Sequence, residues 1–249
     1  MVKEVEQLTI NPADYAYEIT KTGKRDDSVV NHRIHRQKQE GLYYVEYHPI
    51  GGDANVAHLL AALDYAVTLD QVEARIAPDQ SLYFINLTAD EARKIANLTD
   101  DSAINEFRRS VSCVGSTVCQ IGIQDSNGLL KAIFTHLEEK GIDTRKLPRL
   151  HISGCPHSCG THQIGEIGFH GSVKLVDKKP TTSFMLVDGG SEHMGSENFG
   201  KMAGHIVATK IPEFMEALAN KLNEAPEPDF GSWRLTHKGE YMELIKAFE

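Results

Sequence analysis

The sequence predicts an α+β chain: a small layer of helices on an antiparallel sheet, followed by a mixed α/β unit. Three observations predict it. Between residues 41 and 98, strand-like runs and helical periods follow one another as strand, helix, strand, strand, helix, the pattern of helices laid on one sheet face. Beyond residue 110, a long helical period lies between short apolar runs, as in a strand–helix–strand connection. The 249-residue length suits one large or two small domains and buries a sizeable core without disulfide staples.

Residues 1–33 are polar and without a sustained period, and read as an N-terminal arm or connector. The basic run HRIHRQK carries Arg33, Arg36 and Lys38 and reads as a solvated turn. The strand-like GLYYVEYHPI follows. Gly51-Gly52 breaks it, and Asp53 is expected to cap a helix with Val56, Leu59, Leu60, Leu63 and Ala66 on one buried stripe. ARIAPDQ and SLYFINL read as strands around a Pro-Asp turn. Thr88-x-x-Glu91 is a capping box opening TADEARKIANL. These elements make a first domain over 34–102.

A second domain is expected over 103–225. After SCVGSTVCQIG, Asp125 or Ser126 can cap a helix with Leu129, Leu130, Ile133, Phe134 and Leu137 on one face and Gly141 as its stop. The short strand RLHIS leads into GCPHSCG. IGEIGFHGSVKLV and SFMLV read as strands, GGSEHMGSENFG as a glycine-rich loop, and IPEFMEALANKLNE as a helix with Pro212 in its first turn. The Pro-rich APEPDFG separates a C-terminal tail, 226–249, with one short helix around KGEYMELIKAFE.

Lys plus Arg number 26 and Asp plus Glu 35, a net charge of −9. That balance argues against a general nucleic-acid or anionic-membrane binder. No window approaches the roughly 18 unbroken apolar residues of a membrane span, and the start lacks the basic end and apolar run of a signal peptide. The expectation is a cytoplasmic protein with reduced thiols.

The chemistry is carried by cysteine placement. Cys113 and Cys119 are spaced C-x5-C, and Cys155 and Cys159 C-x3-C, in glycine-bearing loops next to strand ends or a helix start. Free N–H groups at such turns stabilise thiolates and the metal they bind. Four unrelated buried cysteines, a structural zinc and a disulfide framework are the alternatives. C-x5-C fits zinc knuckles poorly, and compartment and size disfavour disulfides. Four thiolates on an iron–sulfur cluster fit the spacing best. His151, His157 and His162 surround the second loop, but no paired-histidine helix pattern supports a separate metal site.

These residues carry a resemblance. SCVGSTVCQIGIQDSNGLL followed by LPRLHISGCPHSCGTHQIGEIGFHG resembles the cysteine signature of the sirohaem-dependent nitrite and sulfite reductases. RQKQEGLYYVEYHPIGGD, LAALDYAV and VEARIAPDQSLYFINL are similar to that family's ferredoxin-like half-domain. SFMLVDGG and KIPEFMEALANKL are similar to its closing strand, glycine loop and helix.

The resemblance implies a ferredoxin-like half-domain followed by a nitrite/sulfite reductase 4Fe-4S domain, with Cys113, Cys119, Cys155 and Cys159 holding a 4Fe-4S cluster. It further implies that Cys159 bridges to the iron of sirohaem, that Arg75 and Gln80 contact the cofactor, and that the glycine loop lies near it. An electron donor, ferredoxin or a flavoprotein reductase, would feed reduction of nitrite to ammonia or sulfite to sulfide.

Two departures stand out. His157 replaces the family's usual Asn, and one copy of the half-domain plus cysteine unit is present where complete members have two. The missing first half, which supplies most substrate-gripping residues, would come from the same polypeptide, a separate subunit or a homodimer mate. No catalytic residue is therefore assigned, and the chain alone is expected to lack part of the pocket. An electron-transfer module without sirohaem, or a cofactor-free fragment, are the alternative functions.

Overall fold

The computed structural model describes residues 18–249, and the beginning of the expected N-terminal arm lies outside them. The described residues form two sheets, each with its own hydrophobic core. The first is antiparallel, with β1 (Ile34–Arg36), β2 (Tyr43–Tyr47), β3 (Glu73–Ile76) and β4 (Leu82–Leu87) in the order β1-β2-β4-β3. Helices α1 (Val56–Ala66) and α2 (Ala89–Leu98) close it around Val45, Tyr47, Ala62, Phe84, Ala92 and Ile95.

The capping box at Thr88 is present: the Glu91 carboxylate accepts the Thr88 N–H at 2.8 Å. Lys21 Nζ reaches the same carboxylate at 2.7 Å, so the described part of the arm is pinned to α2. Val29 belongs to this first core.

Two expectations fail at α1. Its N-cap is Asn55, which accepts from the N–H groups of Ala57 and His58. Gly51 and Gly52 take φ of 62° and 73° and prolong the turn by two residues, and the Asp53 carboxylate is drawn to Lys131 Nζ at 2.7 Å. The expected apolar stripe also divides. Ala62 and Ala66 are buried with Leu59 and Leu63 partly so, whereas Val56 and Leu60 remain exposed. A helix rich in apolar residues on several sides has more than one stripe at the helical period, and only contact with the sheet selects the buried one.

The second sheet runs β5 (Val111–Ser112), β6 (Leu150–Ser153), β7 (Ile167–Val176), β8 (Lys179–Asp188) and β9 (Lys201–Val207), in that order. β5, β6 and β7 are parallel, and β7, β8 and β9 antiparallel. All four residues of β6 are buried, as a strand with neighbours on both sides and helices above requires. Helix α3 (Ser126–Glu139) makes the crossover from β5 to β6 and starts where expected, with Asp125 accepting the Gly128 N–H. Helix α4 (Ile211–Glu224) carries Pro212 in its first turn.

β9 and the helix α5 (Phe230–Thr236) were not anticipated. β9 is an edge strand with few buried residues, and α5 hides behind the Pro-rich break, capped by Asp229. The expected tail is instead part of the second core: Phe230, Trp233, Tyr241, Leu244 and Ile245, from α5 and α6 (Lys238–Phe248), are buried in it. Arg234 and Asp188 form an ion pair that ties α5 to the end of β8. Among the described residues no helix is long and apolar enough to cross a membrane.

Candidate metal centre

β5 and β6 are neighbouring parallel strands, so their C-terminal ends open on one edge. Cys113 follows β5 directly, and Gly154-Cys155 follows β6. The topology therefore brings the two cysteine loops together. Backbone hydrogen bonds interlock them: Cys113 N–H donates to Ile152 O at 3.0 Å, and Ile123 and Gln124 N–H donate to Gly154 O at 3.1 and 2.8 Å. Within the first loop, Cys119 N–H donates to Gly115 O at 2.8 Å.

Two glycines make this approach possible. A Cβ on Gly154 would lie 2.5 Å from Gln124 O, and one on Gly160 2.0 Å from Ile152 O. Ser158, immediately before Cys159, has φ of 61°. A left-handed conformation at a residue other than glycine costs roughly 1 kcal/mol or more and persists only where the surroundings impose it.

All four cysteines are free thiols. Cys155 is buried, Cys113 and Cys119 are half-buried, and Cys159 is exposed. The Cys113 sulfur accepts the Gly154 N–H at 3.1 Å and lies 3.1 Å from Ser126 Oγ. Cys155 Sγ lies 3.2 Å from His157 Nδ1. Val114, Val118, Ile121 and Ile123 are exposed around Cys119 and form an apolar rim.

The two histidines behind the second loop act as anchors. His151 Nδ1 pairs with Thr161 Oγ1 at 2.8 Å and His162 Nδ1 with Ser153 Oγ at 2.9 Å. Burial pushes each down to about 4, so both are neutral rings that hold the return segment from Cys159 to β7.

Gln80 lies behind Cys113. Its amide donates to Ser112 O at 2.7 Å and accepts the Ser112 N–H at 3.3 Å, gripping β5 across the gap between the two sheets. Arg75 sits on the edge strand β3, exposed and paired with Glu73 at 2.8 Å. Arg33 is not a solvated turn residue: its guanidinium donates to Glu46 O, Ala96 O and Thr99 Oγ1. Arg36 pairs with Asp27.

Arg149 is held among Glu106, Glu192 and Asp79 at 3.4 to 3.7 Å. It precedes β6, at the opposite strand end from Cys155. The glycine-rich loop is at that same far end: Gly190 N–H donates to Gly165 O, and Gly165 precedes β7. Arg149, Glu166, Glu192 and His193 line a cavity of about 480 Å³ there.

Sequence reasoning missed a buried ionic cluster between the sheets. Glu46 and His48, on and after β2, converge with Asp79 to within 4.8 Å. Arg109 Nη2 lies 2.6 Å from Glu46 Oε1 and 3.4 Å from Asp79 Oδ2, so a guanidinium already supplies the positive charge. His48 is pushed down to about 4 by burial. Neither the spacing nor the composition of these residues distinguishes them from surface charges.

Residues 103–224 match the family model described as nitrite and sulphite reductase 4Fe-4S domain. The chain is 26% identical over 193 residues to the ferredoxin–nitrite reductase of Synechococcus elongatus, covering 74% of this chain and 37% of that protein. It is 28% identical over 208 residues to the chloroplastic ferredoxin–nitrite reductase of Spinacia oleracea, covering 78% and 34%. To the sulfite reductase [ferredoxin] 1 of Mycolicibacterium paratuberculosis it is 25% identical over 215 residues, covering 79% and 38%. The fold is similar to that of the Mycobacterium tuberculosis NirA protein, with a TM-score of 0.69 at 20% identity over 86% of this chain and 41% of that one. The chain thus spans less than two fifths of the length of these three reductases.

Proposed function

This chain belongs, through residues 103–224, to the nitrite and sulphite reductase 4Fe-4S domain family, and from that premise we propose that it is the cluster- and sirohaem-binding half of a nitrite or sulfite reductase. The reading divides the chain into a ferredoxin-like half-domain over 34–102 and a cluster domain over 103–225. Cys113, Cys119, Cys155 and Cys159 would hold the 4Fe-4S cluster, and Cys159 would also serve the sirohaem iron.

The observation that carries it is the interlocking of the two cysteine loops on one strand edge, with the four free thiols borne by those loops. The donor set fits the group: four sulfurs suit iron, and a backbone N–H already points at one of them. When bound, the cluster and sirohaem supply electron transfer and the multi-electron reduction of a small oxyanion.

The chain's own residues do the rest. Cys155 is buried and anchors the site, while Cys159, exposed, leaves one sulfur open to a second centre. The apolar rim of Val114, Val118, Ile121 and Ile123 excludes water from the sulfurs once it is covered. The donor is ferredoxin or a flavoprotein reductase, and the missing half comes from the same polypeptide, a separate subunit or a second copy.

Anaerobic reconstitution tests the reading. Iron, sulfide and a sirohaem spectrum are expected in the wild type, with iron and sulfide lost in Cys155→Ala; a chain that takes up neither cofactor overturns it. A second reading, an electron-transfer module without sirohaem, is favoured by Arg75 and Gln80, whose polar atoms are engaged with Glu73 and Ser112. Iron and sulfide without any tetrapyrrole select it.

A further inference from the structure

We propose that Ser126 is a positioning residue for Cys113, whose hydroxyl fixes the Cys113 sulfur and raises the reduction potential of the centre that this sulfur ligates. The inference rests on the cluster reading above and adds a residue outside the four thiols.

Ser126 opens α3 and is fully buried. Its Oγ lies 2.8 Å from the Cys113 carbonyl oxygen and 3.1 Å from the Cys113 sulfur. The Gly154 N–H meets the same sulfur at 3.1 Å. Proton counting then sets the roles. A hydroxyl has one proton and two lone pairs. While Cys113 is a thiol, its S–H donates to Ser126 Oγ and the hydroxyl proton goes to the Cys113 carbonyl.

Once the sulfur is deprotonated and ligated, it has no proton to give. The Ser126 proton then lies between two acceptors, the carbonyl and an anionic sulfur, and a charged acceptor makes the stronger bond. Cys113 is then left with two donors, Ser126 Oγ–H and Gly154 N–H, on one half-buried sulfur. Reduction adds negative charge to the sulfurs, so donors aimed at them stabilise the reduced state and raise the potential. Rotation of the hydroxyl costs no packing, because its neighbours are the glycines: a Cβ at Gly115 would lie 3.0 Å, and one at Gly154 3.5 Å, from Ser126 Oγ.

The test uses the full chain as wild type, Ser126→Ala, Ser126→Gly as a second hydroxyl-free variant, and Ser126→Thr, which keeps the hydroxyl. Circular dichroism confirms that each variant folds. In reconstituted protein of equal iron content, spectroelectrochemical titration is expected to move the midpoint of the hydroxyl-free variants negative by a tenfold change in the one-electron equilibrium constant, about 59 mV, with Ser126→Thr restoring it. A loaded hydroxyl-free variant with the wild-type potential overturns the proposal.

A second arm needs no cluster. In the unloaded protein, iodoacetamide labelling read by peptide mapping is expected to be several-fold slower at Cys113 in the hydroxyl-free variants, whose thiolate loses the Ser126 donor, unchanged at Cys159, and restored in Ser126→Thr. Unchanged labelling at Cys113 overturns the Ser126 contact. A wild type that takes up no iron or sulfide overturns the cluster reading and with it the potential claim, while labelling still decides whether Ser126 holds the sulfur.

Discussion

At the scale of single residues, the site depends on side chains that are absent as much as on those present. Gly160 lets the second loop fold back over β6, and a methyl group there would sit 2.0 Å from Ile152 O, which is backbone and cannot swing aside. Gly160→Ala is expected to lose about 2–4 kcal/mol of stability, read from the midpoint of chemical denaturation. Gln80 illustrates a different point. The sequence marks it as a cofactor contact by resemblance, yet its amide is occupied by both polar backbone groups of Ser112. Gln80→Ala removes two hydrogen bonds worth roughly 1 kcal/mol each and is expected to slow cluster uptake during reconstitution, because β5 then delivers Cys113 less firmly.

At the scale of elements, strands and loops are held by neutral histidines, and this fixes a pH dependence. His48, His151 and His162 are each pushed down to about 4 by burial, against about 6.5 in the unfolded chain. Between those values the unfolded state binds protons that the folded state does not. The stability is therefore fully present above pH ~6.5 and is lost as pH falls toward 4, by on the order of 1–3 kcal/mol per histidine. Denaturation midpoints across that range are expected to fall in the wild type and to fall less steeply in His162→Gln; a profile of equal steepness in that variant excludes His162 as a source.

The same scale shows what a linear pattern conveys. α3 was legible in full, because one apolar stripe, a cap at Asp125 and a stop at Gly141 all agree. α1 was legible as a helix but not in its facing, since Val56 and Leu60 repeat at the helical period as well as Leu59 and Leu63 do. β9 was illegible because an edge strand buries little, and Gly204 within it answers to Ile245 of α6, against which a Cβ would stand at 2.5 Å.

At the scale of the whole molecule, the two sheets are joined by polar contacts along and before β5. Arg109 bridges to Glu46 on β2, Gln80 grips Ser112, and Asn127 of α3 donates to Gly51 O at 3.0 Å. Arg109→Ala leaves Glu46, 7% exposed, without its cation, while Asp79 keeps Arg149, and removing one partner of a buried pair costs about 3–5 kcal/mol. Limited proteolysis is expected to cut that variant between residues 99 and 106 faster than the wild type, and equal cutting would show that the join does not depend on the pair. Val56 and Leu60 of α1 and the rim around Cys119 are exposed apolar surface, and the chain spans 37% of the length of the Synechococcus elongatus relative.

The α+β class, the capped helices α2 and α3 and the placing of four cysteines in two glycine-bearing loops are all legible along the chain. Each of these is written in residues close together along the chain, where caps, turns and spacing act locally. Long-range packing sets the rest: both loops open on one edge, Gln80 and Ser126 grip the Cys113 segment from opposite sides of the chain order, Arg109 neutralises Glu46, and Arg149 and the glycine-rich loop stand at the far strand end. Those relations join residues tens of positions apart, and parallel pairing of β5, β6 and β7, not any local signal, sets which ends meet.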